Sequence, residues 1–171
     1  MLSEKIENAL NAQLNAELYS SYLYLSMNAF FKSINLDGFA SWMHAQAQEE
    51  LMHAMKFYDF INQRGGRVVL LQIEAPPVEW SSPVEVFEET LKHEQKVTGL
   101  INNLVEVALT EHDHATNIFL QWFVTEQVEE EENVGNVLQQ LMLLGDAKNG
   151  IFMIDRELAK RGAEAGTVSS E

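Results

Sequence analysis

The sequence predicts an all-α protein: a four-helix bundle with one long crossover between helices two and three and a short fifth helix at the C-terminus. Three observations carry this expectation. Four segments of about 28–32 residues each hold a helical hydrophobic period. The turns between the first and second segments, and between the third and fourth, are short, which makes those pairs antiparallel. The connection from 65 to 82 has about 18 residues and reaches ~60 Å when extended, enough to travel the whole bundle.

The first helix runs from about Ser3 to Ser33. The second starts near Asp37, a suitable N-cap residue, and stops at Gly65 and Gly66. At the third, Ser82 can cap, Pro83 suits the first helical position, and Glu85 completes a capping box. That helix ends near Glu111. The fourth runs from about Asp113 to Leu144, with Gly145 as its stop. A shorter amphipathic helix spans roughly Lys148 to Lys160. One domain therefore covers 1–162, and 163–171 form a flexible Gly-, Ala- and Ser-rich tail. Val68–Ile73 has strand-like composition, but no second strand pattern exists to pair with it, so it belongs to the extended crossover.

Composition excludes several function classes. The formal net charge of −15 argues against a phosphate-backbone partner, so no nucleic acid is expected. The chain contains no cysteine, hence no disulfide, thiolate metal site or iron–sulfur cluster. No apolar run approaches the ~18 residues of a membrane span. The first ten residues, MLSEKIENAL, lack the basic-then-apolar pattern of a secretory signal, and a cytoplasmic location is expected.

Each helix directs one carboxylate into its own apolar stripe. On the first helix Glu17 interrupts Ile6, Leu10, Leu14 and Tyr24. On the second, Glu50 is central among Phe39, Met43, Ala47, Ala54, Phe57 and Ile61, with His53 at the edge. On the third, Glu94 sits among Phe87, Leu91, Ile101, Val105 and Ala108. On the fourth, Glu130 lies among Phe119, Phe123, Val134, Val137 and Leu141, flanked by Gln127 and Glu126. All four lie near their helix midpoints, which share one level in a bundle of this connectivity. Burying an isolated carboxylate costs several kcal/mol, and the stripes offer no Lys or Arg to neutralise four of them. Two divalent cations would balance the charge. Glu50 and His53, at i and i+3, lie on one helical face and have the ligand spacing of carboxylate-bridged dinuclear bundles. Oxygen-rich ligation with one imidazole suits Fe or Mn, and Zn less well.

The segments NAELYSSYLYLSM (15–27), QEELMHA (48–54), KHE (92–94) and FLQWFVTEQVEEEE (119–132) resemble the ferritin family, closest to the non-haem ferritins of bacteria and archaea. The likeness runs from the N-terminus to about Gly162. It implies a ferritin-like bundle and a ferroxidase centre that oxidises Fe(II) to Fe(III) with dioxygen or peroxide. One iron would bind Glu17, Glu50 and His53. The second would bind Glu50, Glu94 and Glu130, with Gln127 adjacent as a ligand or as a hydrogen-bond donor. Glu50 would bridge the two. A third iron matches Glu49, Glu126, Glu129 and Glu130. Tyr24 matches a tyrosine that supplies an electron beside the centre, with Trp122 near it. The family assembles as a 24-subunit homo-oligomeric shell around a ferric mineral, with the fifth helix near Ile151–Leu158 at a four-fold axis. Bacterioferritins differ. They carry a second E-x-x-H on helix four, where this chain has Gln127 and Glu130, and a haem-ligating methionine where this chain has Leu51. Met52 is one residue off, so no haem is expected.

Plainer roles stand beside these. Glu131 and Glu132 read as a solvated face, Trp122 mainly as a core aromatic, and His44, His93, His112 and His114 as surface or capping residues. Tyr24 by itself would be a packing residue. Two other classes share such a bundle: a small di-iron oxidase or peroxidase of the rubrerythrin kind, and an acidic shell subunit without an oxidation centre. Particle size separates the first from a shell, and metal binding excludes the second.

Overall fold

The computed structural model describes residues 2–145 and 148–165, with side chains for 2–145 and 150–160. Five helices follow in order: α1 (Glu4–Ser33), α2 (Asp37–Gln63), α3 (Pro83–Thr110), α4 (His114–Leu144) and α5 (Lys148–Ala165). No strand occurs among the described residues, and 68–73 run as extended coil. None of these helices is long and apolar enough to cross a membrane.

Local chemistry sets the helix ends. Ser3 accepts from the Ile6 amide at the start of α1. Ser82 accepts from the Glu85 amide at 3.2 Å, with Pro83 opening α3. The expected box is shifted by one residue, because Glu85 Oε2 accepts from Ser81 Oγ at 2.6 Å rather than from Ser82. Asp37 is not the cap of α2. It is the first helical residue, and the capping position is Leu36, which makes no side-chain bond. The carboxylate that caps α2 comes from α5: Asp155 Oδ1 accepts from the amides of Gly38 at 2.8 Å and Phe39 at 3.0 Å. Only glycine fits at 38, since a Cβ there would lie 1.6 Å from the Asp155 carbonyl oxygen. Gly65, at φ +72°, terminates α2 in the left-handed region.

The crossover lies along α1. Asn11 accepts from the Val69 amide at 2.7 Å and donates to the Arg67 carbonyl at 3.0 Å. Farther along, Ser26 donates to the Pro77 carbonyl, and buried Trp80 packs on Phe30 with ring centroids 5.3 Å apart. From Asn11 to Ser26 the loop follows α1 for ~22 Å at 1.5 Å per residue. This delivers α3 to the end of the bundle opposite the one where α2 stopped.

The core has two apolar parts. One gathers Met27, Phe31, Phe39, Met43, Phe87, Val134 and Leu141, with Ile154 and Leu158 of α5. The other gathers Ile6, Leu10, Phe57, Ile61, Ile101, Ala108, Leu120 and Phe123. Between them lies a layer containing Glu17, Glu50, Glu94, Gln127 and Glu130. Each fully buried Leu or Phe contributes about 1.5–3 kcal/mol, so the two clusters offset the cost of a polar layer between them. Leu91, Val105 and Phe119 are only partly buried, at the flanks of their stripes. α5 extends to Ala165, past the Lys160 expected from periodicity and past Gly162, where the tail was expected to begin. Residues 166–171 of that tail lie outside the described residues.

Candidate metal centre

Each of the four helices contributes one buried carboxylate to the central layer. Glu17, Glu50, Glu94 and Glu130 expose 1%, 2%, 1% and 3% of their surface, and His53 exposes 4%. The Glu17, Glu50 and His53 ligand atoms converge within 4.8 Å of one another. His53 Nδ1 lies 3.3 Å from Glu50 Oε2. A second convergent group joins His53 and Glu130 to half-buried Glu126.

Burial and then the neighbouring Glu50 charge push the Glu17 carboxyl well above the ordinary glutamate value. Burial, then Glu94, then Glu130 do the same to Glu50. Burial raises Glu94, opposed by hydrogen bonds from Tyr24 and Gln127. Among the described residues, Glu17 Oε2 and Glu50 Oε1 are buried without a hydrogen-bond donor. Carboxylates facing one another without a donor need shared protons or cations. A pair of divalent ions fits the oxygen-rich donor set and its charge.

Other carboxylate oxygens of the layer do have donors. The Gln13 amide donates to Glu17 Oε1 at 2.8 Å, and Gln46 donates to Glu130 Oε2 at 2.6 Å. The Tyr24 phenol, fully buried, donates to Glu94 Oε1. Gln127 donates to Glu94 Oε2 at 3.2 Å and lies 3.3 Å from Thr98 Oγ1. The Gln127 amide nitrogen thus makes the hydrogen bond to Glu94, and its oxygen takes no part in that bond.

The expected third set is brought together only in part. Glu126 and Glu130 meet at His53. Glu49 is half-buried and Glu129 is exposed, and neither of them, nor Glu94 of the expected second set, joins a convergent group among the described residues. Trp122 is not a core residue: it is 41% exposed on the outer side of the α2–α4 seam. Its ring meets the His53 edge at 5.3 Å, with the Lys56 ammonium 4.2 Å from its centroid. His93 is not a surface residue either. It is half-buried against Tyr19 and Tyr24, its Nε2 is 2.8 Å from Ser20 Oγ, and burial, followed by nearby Lys96, pushes its pKa down to about 4.

Sequence reasoning passed over Gln13 and Gln46. Their signal was available, because each lies four residues before a core glutamate on the same helical face and so interrupts an apolar stripe.

Residues 7–144 match the ferritin-like domain family. The bacterial non-haem ferritin of Bacteroides fragilis (strain 638R) is 45% identical over 161 residues, which cover 94% of this chain and 100% of that protein. The bacterial non-haem ferritin of Staphylococcus epidermidis (strain RP62A) is 42% identical, covering 94% of this chain and 97% of that protein. Among solved structures, an open-pore ferritin from the archaeon Archaeoglobus fulgidus superimposes with a TM-score of 0.92 at 53% identity, covering 92% of this chain and 96% of that one.

Proposed function

The chain belongs to the ferritin family, as an iron-storage protein of the non-haem kind, and we propose that its central layer is a ferroxidase centre for two Fe(II) ions. The observation that carries this is the buried Glu17–Glu50–His53 convergence with two carboxylate oxygens lacking donors. One Fe(II) is held by Glu17, Glu50 and His53. The other is held by Glu50, Glu94 and Glu130, with Glu50 shared between them.

Iron is the substrate. Two Fe(II) ions each give one electron to dioxygen, which takes up two protons and leaves as hydrogen peroxide, while both irons become Fe(III). Peroxide can serve as the oxidant in its place. The protein's part is to hold the two ions adjacent, exclude other donors with the apolar clusters on either side, and balance charge. Tyr24, hydrogen-bonded to Glu94, and a third Fe(II) would each give one further electron, and with two protons these reduce the peroxide to water. Glu126 and Glu130 provide the start of a third iron position, completed by Glu49 and Glu129 once their side chains turn inward. Ferric product passes to a mineral held inside a homo-oligomeric shell of 24 copies, in the cytoplasm. No haem takes part.

Anaerobic Fe(II) titration of the intact protein, followed by air and absorbance near ~300 nm, where ligand-to-iron(III) charge transfer appears, tests this beside particle size. Two or three irons per chain, fast oxidation and a shell-sized particle support it. Binding on a dimer-sized particle would mean a small di-iron oxidase instead. Absence of binding would leave the buried glutamates without a metal role.

A further inference from the structure

We propose that Gln13 and Gln46 are positioning residues of the two-ion centre, with different reach: Gln13 orients a ligand of one ion, and Gln46 orients ligands of both. Both roles presuppose the two-ion centre proposed above.

Both side chains are almost completely shielded, at 4% and 0% exposure. A buried amide without partners costs about 1–3 kcal/mol, and an apolar residue would fill either place without that cost. What offsets the burial is a hydrogen bond to a ligand carboxylate. Such bonds to an ionised acceptor are shorter and stronger than neutral ones.

Gln13 stands one helical turn before Glu17 on α1, and its amide donates to Oε1 at 2.8 Å. The other oxygen, Oε2, is buried without a donor among the described residues. The amide therefore decides which oxygen of Glu17 is left for an ion, and it fixes the carboxylate's rotation before the ion arrives. Glu17 belongs to the Glu50–His53 group, and in the proposed centre it serves only that ion.

Gln46 stands one turn before Glu50 on α2 and reaches across the bundle to Glu130 Oε2 on α4, at 2.6 Å. At i and i+4 on one face of α2, Gln46 and Glu50 are side-chain neighbours, and the Gln46 side chain is a hydrogen-bond partner of the Glu50 carboxyl. Glu130 serves one ion and Glu50 bridges both, so loss of this amide loosens ligands on either side. Partners that orient metal ligands in this way change metal affinity by about 10–100-fold when removed.

The test uses Co(II) binding to the intact, assembled protein by calorimetry, without turnover. Gln13→Met and Gln46→Met keep side-chain size and remove the donor, and Gln48→Met, on the exposed side of α2, is the control. Titrations of Glu17→Ala and Glu94→Ala identify which of the two constants belongs to which ion. Gln13→Met is expected to weaken the Glu17-side ion about 10–100-fold and leave the other constant in place. Gln46→Met is expected to weaken both, with particle size and helix content unchanged. Unaltered constants in either variant would overturn that residue's role. So would a Gln13→Met protein in which both constants fall together, because that is the signature of general loosening. If the unaltered protein binds no Co(II) at all, the two-ion centre fails, and these roles with it. If it binds two ions and the variants match it, only the positioning roles fail.

Discussion

The phenol of Tyr24 on α1 donates a hydrogen bond to the Glu94 carboxylate on α3, across the bundle and out of reach of solvent. Glu94 accepts a second bond from Gln127 on α4. One carboxylate thus ties three helices together at the level of the proposed iron centre. The phenol's own ionisation is strongly disfavoured, by burial first and then by the Glu94 and Glu50 charges. It stays a proton donor at any physiological pH.

Tyr24→Phe is expected to leave the helices and iron stoichiometry intact while leaving one Glu94 oxygen without its donor. Unfolding of the metal-free protein should become easier by about 1–3 kcal/mol, the range for a buried group that loses its partner. Oxidation of bound Fe(II) should slow, and any tyrosyl radical seen by rapid-freeze electron paramagnetic resonance should vanish. A radical signal of unchanged shape and size would exclude Tyr24 as the electron source.

His53→Ala and Glu94→Ala each remove a proposed ligand, one from each ion of the proposed centre. Each should slow the fast phase of Fe(II) oxidation by at least about 100-fold, since ligand loss exceeds the effect of losing a supporting partner. Gel filtration should show the same particle. Stopped-flow traces that match the unaltered protein in both variants would remove the centre from this layer.

The acidic layer sets a pH dependence with a definite sign. Glu17 and Glu50 have folded-state values raised well above the ordinary 4.5. Between 4.5 and those raised values the folded chain binds more protons than the unfolded one. Stability of the metal-free protein should therefore fall as pH rises through that window. Divalent ions replace the protons, so metal binding should release protons into the buffer and tighten with pH. Calorimetry in buffers of different ionisation enthalpy measures this release directly, and zero release at neutral pH would contradict the raised values.

Gly38 and Asp155 hold α5 against the start of α2. Gly38→Ala should displace α5, because the new Cβ would fall 1.6 Å from the Asp155 carbonyl oxygen. A cost of about 1–3 kcal/mol is expected for such overpacking. Asp155→Ala keeps the space but loses the cap from the Gly38 and Phe39 amides, at about 1 kcal/mol. Limited proteolysis within α5 should speed up in both proteins, and more in Gly38→Ala. Equal cleavage in all three would show that this contact does not retain α5.

The sequence by itself determined the helices, the crossover and the four core glutamates. All of these are periodic signals: a carboxylate interrupting an apolar stripe is visible at 100° per residue without any partner. It also determined the Glu50–His53 pair, because two residues at i and i+3 share a face in any helix. Only the tertiary structure decided what each oxygen meets. Tyr24 against Glu94, and Gln46 against Glu130, join helices far apart in the chain, at distances that depend on how the bundle packs. Trp122 illustrates the same limit. Its helical position suggested a core aromatic near Tyr24, yet it lies at the outer edge of His53, because which flank of a stripe is covered depends on the neighbouring helix. The cap of α2 is a further case. Local sequence favoured Asp37, but α5 folds back to present Asp155 to the same amides, a choice made by packing and invisible to local propensity.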